Sequence, residues 1–247
     1  MRFEGRVALV TGGGRGIGAE TCRVLHSGGA TVIACDMDAE PAQEVAVELG
    51  DRALGLAVDV TERAQVEAAV GQAVERFGKL DYLVCCAGIT RDNLIYKMSD
   101  DDWDGVIDTH LKGSFLCCQA AQKAMVPNGF GRIVLLSSVS ALGNRGQTNY
   151  STAKAGLQGM ARTLAIELGR YGINVNTVAP GFVETRMTQA TAERMGVGWE
   201  EFKKGVIEHT PNRHLGQPAD IANVIAFLLS DDGTYISGQT LYVRGGP

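Results

Sequence analysis

The sequence predicts the α/β fold class, with one doubly wound, mostly parallel sheet and helices on both of its faces. Short apolar runs alternate with helix-length amphipathic segments along the 247 residues. A glycine-rich turn joins the first predicted strand to the first predicted helix. No linker, repeat or low-complexity segment interrupts this alternation, so a single domain over residues 1–247 is expected.

Composition and charge exclude two classes of partner. The net charge is −5, whereas nucleic-acid binding needs clustered basic residues. No stretch approaches the ~20 uninterrupted apolar residues of a membrane span. The chain also begins without an apolar signal core, so we expect a cytoplasmic protein. The six cysteines show no zinc or Cys-x-x-Cys spacing, which favours buried thiols and predicts no metal site.

The glycine-rich turn follows a predicted strand over residues 6–10 and precedes a helix that runs to about His26. Its glycines are spaced Gly12-x-x-x-Gly16-x-Gly18. Such a turn lets backbone N–H groups and the helix N-terminus approach a pyrophosphate. A tight strand–helix connection is the simpler alternative, but the position in the first such unit favours a dinucleotide site.

The second predicted strand, residues 31–35, ends at Asp36, 18 residues after Gly18. An acid at about this distance binds the adenosine ribose hydroxyls and repels a 2′-phosphate, so Asp36 favours NAD(H) over NADP(H). Capping of the next helix is the alternative role of Asp36. Arg15 in the glycine turn could pair with a 2′-phosphate, so NADP(H) stays open.

Two further strand ends carry candidate cofactor contacts. Asp59 follows the third predicted strand, residues 53–58, and could bind the adenine amino group, cap the next helix, or do both. The small residues Ala87 and Gly88 follow the fourth predicted strand, residues 80–85, and would let a cofactor lie close to it. Packing beneath the helices is the alternative for these small residues.

The fifth predicted strand begins near Ile133 and ends in Ser137 and Ser138, and a helix with Tyr150 and Lys154 follows. Tyr150 and Lys154 are four positions apart, so they share one face of that helix. A serine at a strand end beside a helical tyrosine and lysine predicts a proton-transfer site.

Pro180-Gly181 breaks the chain outward after the sixth predicted strand, residues 173–178. Residues 182–217 are the least regular part of the sequence. A long segment beyond a strand end suits a substrate lid, and a surface excursion with its own small core is the alternative. All of these groups follow strands, so they fall on the one sheet edge where ligands bind in this architecture.

Together these motifs resemble the short-chain dehydrogenase/reductase family over residues 6–246. The matching pieces are Thr11-Gly12-x-x-x-Gly16-x-Gly18, Asp59-Val60, Ala87-Gly88, Ser138, Tyr150-x-x-x-Lys154 and Pro180-Gly181. Within the family, residues 87–94 and 143–150 resemble the 3-oxoacyl-carrier-protein reductases. The resemblance implies a Rossmann-type fold, a nicotinamide cofactor and a homotetramer.

The resemblance also implies a role for each matching residue. Tyr150 would protonate the substrate carbonyl oxygen and Ser138 would polarise it, while Lys154 would lower the pKa of Tyr150 and hold the nicotinamide ribose. Thr185 would lie near the carboxamide. The implied cofactor contacts are Gly12, Arg15, Gly16, Ile17, Gly18, Asp36, Asp59, Val60, Ala87, Gly88, Tyr150, Lys154, Pro180, Gly181, Val183 and Thr185.

The chain departs from the family pattern at four places. Cys85-Cys86 stands where the family has Asn-Asn, and Arg244 stands where it has an acid after the last strand. His110 replaces the helical Asn that holds a proton-relay water, so His110 is a candidate catalytic residue. The loop before Tyr150 is about one residue short, which leaves Ser137 as a second candidate for the catalytic serine.

The expected reaction is the NAD(P)H-dependent reduction of a 3-oxoacyl thioester carried by acyl-carrier protein or coenzyme A. Carrier-protein reductases usually have basic residues before strands five and six, where this chain has Gly129-Phe130 and Tyr171. Three alternatives stay open. They are NAD-dependent oxidation of 3-hydroxyacyl-coenzyme A, a dehydrogenase of a steroid, sugar or polyol, and a non-catalytic nucleotide sensor.

Overall fold

One seven-stranded parallel sheet, in the order β3-β2-β1-β4-β5-β6-β7, organises the computed structural model, which describes residues 1–247. This confirms the predicted doubly wound α/β class. The strands are β1 (Val7–Thr11), β2 (Thr31–Asp36), β3 (Ala53–Ala57), β4 (Tyr82–Cys85), β5 (Gly131–Leu136), β6 (Ile173–Pro180) and β7 (Thr240–Val243).

Helices cover both faces of the sheet. α1 packs against α9 on one face, and α3 packs against α5 on the other. None of the helices has the length and hydropathy needed to cross a membrane. The helices are α1 (Gly16–Ser27), α2 (Ala39–Leu49), α3 (Arg63–Phe77), α4 (Asp100–Ile107), α5 (Gly113–Met125), α6 (Thr148–Leu168), α7 (Arg186–Arg194), α8 (Trp199–His209) and α9 (Pro218–Leu229).

The sheet separates two buried apolar clusters. Successive side chains of a strand point to opposite faces, so Leu9 joins the cluster under α3 and α5 while Val10 joins the cluster under α1 and α9. The neighbouring strand alternates in the same way with Ile33 and Val32. Because both faces are covered, β1, β2 and β4 are almost continuously apolar, which explains their clear signal in the sequence.

A wide π-helical turn, Asp108–Lys112, lies between α4 and α5. α4 begins with a capping box. Ser99 Oγ accepts from the Asp102 backbone N–H at 3.1 Å, and Asp102 Oδ2 accepts from Ser99 N–H at 3.2 Å. Acids in this first turn also suit the helix dipole. The π turn matters because it contains His110.

Residues 182–217 are more regular than the sequence indicates, since they form α7 and α8. They also have a small apolar core of their own. The ring of Phe202 lies 5.5 Å from that of Phe182 and 5.8 Å from that of Trp199, measured between centroids. The segment borders the main cleft of the molecule. The two descriptions offered for it, a lid and an excursion with its own core, are therefore compatible.

Candidate active site

A cleft of about 1510 Å³ runs along the carboxyl edge of the sheet. This is the edge where parallel α/β sheets bind ligands. Gly16 is the one predicted site residue that does not line the cleft, although its neighbours Arg15 and Ile17 do. The predicted residues that line it are Gly12, Arg15, Ile17, Gly18, Asp36, Asp59, Val60, Ala87, Gly88, His110, Ser138, Tyr150, Lys154, Pro180, Gly181, Val183 and Thr185.

At the glycine turn, the floor of the cleft consists of backbone atoms that no side chain covers. Gly12 has a φ of +63°, and a Cβ there would lie 2.8 Å from the backbone nitrogen of Ala87. A Cβ on Gly18 would lie 2.0 Å from the carbonyl oxygen of Gly12. Only glycine fits at these two positions. The turn therefore forms a cradle at the N-terminus of α1 that fits the pyrophosphate of a dinucleotide.

Asp36 lies beside this cradle, at the end of β2. Its Oδ2 accepts a hydrogen bond from Gly14 N–H at 3.1 Å. The residue at the N-cap of α2 is Asp38, so the capping alternative for Asp36 is wrong. The Arg15 guanidinium lies 2.8 Å from an Asp38 oxygen and 4.0 Å from an Asp36 oxygen. Two carboxylates thus surround the one arginine that could bind a 2′-phosphate.

Asp59 fixes a turn after β3. Its Oδ1 accepts from the Thr61 backbone N–H at 2.9 Å and from the Thr61 hydroxyl at 2.8 Å. The next helix begins at Arg63 with Glu62 at its N-cap, so the capping alternative for Asp59 is also wrong. The other oxygen, Oδ2, forms no hydrogen bond within the chain and is available to a ligand in the cleft.

Tyr150 and Lys154 project from the first turns of α6 toward the end of β5. Lys154 is 3% exposed, and its ammonium donates to the carbonyl oxygen of Leu136. The same ammonium lies 5.3 Å from the centroid of the Tyr150 ring. Ser138 begins a short 3-10 turn, where its Oγ accepts from Ser140 N–H at 3.1 Å. The structure therefore brings the three predicted catalytic side chains to one end of the cleft.

Ser137 has a different environment from Ser138. Its hydroxyl donates to the backbone carbonyl of Lys154 at 2.8 Å and accepts from the Gln158 amide at 3.1 Å. Both contacts fasten α6 to β5, and Ser137 is 2% exposed. Ser137 therefore has a structural role in holding α6 against β5. The geometry favours Ser138 as the serine that contacts a substrate oxygen.

Burial sets the protonation of the Tyr150–Lys154 pair. It raises the pKa of Tyr150 to about 12, with the Ser138 side chain opposing and Asp92 reinforcing this shift. Burial also lowers the pKa of Lys154 to about 8. Burial sets the net direction of this shift, and the lowering of the Tyr150 pKa by Lys154 stays a prediction. Tyr150 therefore carries its proton at neutral pH.

His110 is a packed, neutral side chain. Burial lowers its pKa well below the usual range, and the charge of Lys154 adds to that effect. Its Nε2 lies 2.7 Å from the Ile89 carbonyl oxygen and 3.1 Å from the Ile89 nitrogen. Its Nδ1 is buried without a partner in the chain. The ring meets the Tyr150 ring edge to face at 5.1 Å between centroids.

The chain after β6 borders the same end of the cleft. Thr185 is the N-cap of α7, with its Oγ1 accepting from Thr188 N–H at 3.4 Å. The Thr185 methyl group lies 3.4 Å from the position of a Cβ on Gly16, so α7 begins against the glycine turn. Gly181 packs against Arg244, where a Cβ would lie 2.8 Å from the Arg244 Cβ.

Asn149 is a supporting residue that sequence reasoning did not single out. It is fully buried, and its amide donates to the carbonyl oxygens of Arg91 at 2.9 Å and Asp102 at 2.8 Å. Its Oδ1 accepts from Tyr150 N–H at 2.8 Å. Asn149 thereby fixes two other segments to the start of the catalytic helix. Its position next to Tyr150 was the available signal.

A second bridge missed by the sequence crosses the cleft. Arg194, at the end of α7, donates to Asp92 Oδ2 at 3.3 Å and to the Thr90 hydroxyl at 3.0 Å. Gln147 donates to the same Asp92 oxygen at 3.1 Å. Thr90 and Asp92 belong to the loop after β4. Residues 182–217 are thus tied to the loop that borders the catalytic side chains.

Comparisons with known proteins agree with this geometry. The family described as enoyl-(acyl carrier protein) reductase matches residues 12–247. The 3-oxoacyl-[acyl-carrier-protein] reductase FabG of Escherichia coli (strain K12) is 42% identical over 247 residues, which cover 100% of this chain and 98% of the relative. The (2S)-[(R)-hydroxy(phenyl)methyl]succinyl-CoA dehydrogenase subunit BbsD of Thauera aromatica is 44% identical over 249 residues, again covering 100% of this chain and 98% of the relative.

A solved structure supports the same assignment. The crystal structure of gox2181 superposes with a TM-score of 0.92 at 34% identity and covers 99% of this chain and 96% of that one. The chain belongs to the short-chain dehydrogenase/reductase family. It is therefore an oxidoreductase that uses a nicotinamide cofactor, and the glycine cradle and the strand-end contacts described above fit that group.

Proposed function

We propose that this protein reduces the 3-oxo group of an acyl thioester to a 3-hydroxy group. The observation that carries the proposal is the placement of Tyr150, Ser138 and Lys154 together at one end of a cleft that continues to the glycine cradle. The relatives named 3-oxoacyl-[acyl-carrier-protein] reductase, 42% identical over the full chain, support the same reaction.

Each catalytic side chain has a chemical task in this proposal. The cofactor supplies a hydride to the carbonyl carbon. Tyr150 donates its proton to the carbonyl oxygen as negative charge develops there, and the Ser138 hydroxyl donates a hydrogen bond to the same oxygen. The Lys154 ammonium stabilises the tyrosinate that remains and holds the nicotinamide ribose. Asp36, Asp59, Thr185 and the glycine turn hold the rest of the cofactor.

His110 returns a proton to the site in this proposal. A neutral imidazole with a buried, unpartnered Nδ1 suits a bound water or a direct relay, since it donates or accepts according to its tautomer. Its edge contact with Tyr150 also holds that ring in place.

NAD(H) is the proposed cofactor. Asp36 and Asp38 surround Arg15, so the adenosine end carries an excess of negative charge that repels a 2′-phosphate. The same observation favours a second candidate function, the NAD-dependent oxidation of a 3-hydroxyacyl-coenzyme A. The relative named as a CoA dehydrogenase subunit, at 44% identity, supports that second candidate.

We also propose that residues 182–217 act as the substrate lid of a single catalytic domain and that the chain forms a homotetramer. Exposed apolar side chains on neighbouring helices support the assembly. Ile166 on α6 is 83% exposed, and Trp103 on α4 and Phe115 on α5 are also exposed. Light scattering of the purified protein measures the assembly directly. A cytoplasmic location stays a prediction from the sequence.

The test of the reaction is a substrate panel with NADH and NADPH. Acetoacetyl-coenzyme A should oxidise the cofactor, and 3-hydroxybutyryl-coenzyme A should reduce NAD⁺ in the reverse assay. Crotonyl-coenzyme A offers a C=C bond and tests the enoyl reduction that the family description names. A steroid, a sugar and a polyol complete the panel. Turnover confined to these alcohols or to crotonyl-coenzyme A would contradict the proposal.

Tyr150→Phe is the matching variant, because it removes the proton donor and keeps the ring. We expect a loss of about 10²-fold or more in kcat, with cofactor binding retained. Tyr82→Phe is the control, since Tyr82 is a buried core residue away from the cleft. Unchanged turnover in Tyr150→Phe would remove Tyr150 from the catalytic role.

A further inference from the structure

The cleft is unevenly charged along its length. At the adenosine end, Asp36, Asp38 and Asp59 outnumber Arg15. At the catalytic end, the lining contains one carboxylate, Asp92, and four arginines, which are Arg91, Arg145, Arg194 and Arg244. The formal net charge of that arginine–aspartate set is +3, in a protein whose total is −5. A concentration of one sign in a cleft attracts a ligand of the opposite sign.

Two arginines of the cleft lining have other roles. Arg194 pairs with Asp92 and Thr90 in the bridge described above. Arg186 begins α7 directly after Thr185, which lies against the glycine turn, so it belongs to the cofactor side. The remaining three, Arg91, Arg145 and Arg244, form no ion pair within the chain.

Arg91 and Arg145 lie on the same rim of the cleft. Their loops are joined by a hydrogen bond from Asn93 N–H to the Gly146 carbonyl oxygen at 2.8 Å. Both side chains are exposed at the mouth. Arg244 is half-buried, and its single hydrogen bond, at 3.3 Å, goes to the carbonyl oxygen of Gly246, two residues away. Three guanidinium groups are thus left free to bind an anion.

We propose that Arg91, Arg145 and Arg244 bind the phosphate groups of coenzyme A, so that the acyl carrier is coenzyme A and not a carrier protein. This inference rests on the proposed thioester reduction. With the thioester at Tyr150, the pantetheine arm would lead out of the cleft, and the phosphates at its far end would reach these three cleft-lining arginines. Guanidinium groups bind phosphate oxygens in a bidentate manner, which suits this pairing.

Size distinguishes the two carriers at this rim, since net charge does not. The protein has a net charge of −5, and the rim arginines would attract an acidic carrier protein as well as coenzyme A. Coenzyme A is small enough to reach the rim arginines without covering the surface around them.

The test compares two thioesters that differ only beyond the pantetheine arm, acetoacetyl-coenzyme A and acetoacetyl-pantetheine. Coenzyme A carries the phosphates and pantetheine has none. We expect kcat/KM to be at least about tenfold higher for the coenzyme A thioester. The advantage should shrink as the salt concentration rises, because exposed charges are screened.

The variants are Arg91→Ala, Arg145→Ala and Arg244→Ala, each assayed with both thioesters. Each should reduce the coenzyme A to pantetheine ratio of kcat/KM severalfold, and Arg145→Lys should keep part of it. Arg76→Ala is the matched control, because Arg76 is an exposed arginine on α3 outside the cleft. The binding of free coenzyme A, measured by calorimetry, should weaken in the same three variants.

Several outcomes would overturn the proposal. One is an equal kcat/KM for the two thioesters, and another is a ratio that the three variants leave unchanged. Acetoacetyl-carrier protein used more efficiently than acetoacetyl-coenzyme A would assign the carrier to the protein. If neither small thioester nor acetoacetyl-carrier protein is reduced, the proposed function fails, and free coenzyme A binding still decides the arginine assignment. Binding that is absent, or equal in wild type and variants, would refute that assignment.

Discussion

A β-carbon on Gly88 would lie 2.2 Å from Cε1 of His110. The two residues therefore fit together only because Gly88 has no side chain. Gly88 lies near the start of the loop after β4, and His110 lies in the π-helical turn, so this contact sets the distance between the cleft floor and α4–α5. The imidazole packs against Tyr150 on its other side. A methyl group added at Gly88 would displace the His110 ring, and the displaced ring would in turn press on the catalytic tyrosine.

We predict that Gly88→Ala destabilises the protein by about 1–3 kcal/mol and lowers kcat, because the added methyl displaces the His110 ring. In a His110→Ala background the same change should have little effect on stability. Urea unfolding of the four proteins in this double-mutant cycle measures the coupling. Gly105→Ala is the control, since its Cβ would meet only Ile89 Cδ1 at 3.8 Å. Equal losses in both backgrounds would refute the steric explanation.

Lys154→Met should stabilise the protein at pH 7 while abolishing activity. Burial lowers the pKa of Lys154 from 10.5 to about 8, so between these values the unfolded chain holds the extra proton. Stability of the wild type therefore rises with pH across that window, and the buried ammonium destabilises it below pH 8. The shift corresponds to at most about 3 kcal/mol, and methionine fills the space without charge.

Urea unfolding at pH 7 and pH 10 tests this assignment. The stability advantage of Lys154→Met should shrink at the higher pH, because the wild-type lysine is then neutral in the fold. Lys123→Met, at a lysine whose side chain is 60% exposed, should show no such change. An advantage of the same size at both pH values would mean that the pKa of Lys154 is not lowered.

Asp36→Ala should shift the cofactor preference toward NADPH. The substitution removes a carboxylate next to the ribose position and leaves Arg15 with only Asp38 as its partner. We expect the ratio of kcat/KM for NADPH to that for NADH to rise at least about tenfold. Asp38→Ala should shift the ratio in the same direction, since it frees the arginine. A ratio unchanged in Asp36→Ala would exclude this residue as the selector.

Arg194→Gln should loosen the lid. The arginine joins α7 to Asp92 and Thr90, and its loss removes both contacts. We expect a severalfold rise in the substrate KM with a smaller effect on kcat, and faster proteolysis within residues 186–209, because the pair is partly exposed and contributes modestly. Glu193→Gln, at the exposed neighbouring position, is the control. Arg194→Gln with an unchanged KM and unchanged proteolysis would argue against a lid contact.

The predicted parts of the site are those that local spacing determines. Tyr150 and Lys154 are four positions apart on one helix, and the residues after each strand lie on one edge because parallel strands end there. Asp36 follows from its distance to the glycine turn. These inferences need no knowledge of side-chain packing, and the structure places the residues together as expected.

The parts that the sequence could not indicate depend on long-range packing. Arg194 and Asp92 are 102 positions apart, and no period relates them. The protonation of Tyr150 depends on how deeply the assembled fold buries it. The helices α7 and α8 were not predicted from the sequence, because their apolar residues pack in a small local core or line the cleft instead of facing the main sheet. Ser137 and Ser138 are adjacent, and the contacts of Ser137 with Lys154 and Gln158 separate their environments.

The π-helical turn Asp108–Lys112 makes the site sensitive to the length of the chain. Each residue advances a helix by about 100°, so one residue fewer in this turn would rotate α4 relative to α5 by that angle. The helix would then be regular and locally more favourable, yet the imidazole would no longer face Ile89. A single-residue deletion here would therefore inactivate the protein without removing any side chain that contacts the substrate.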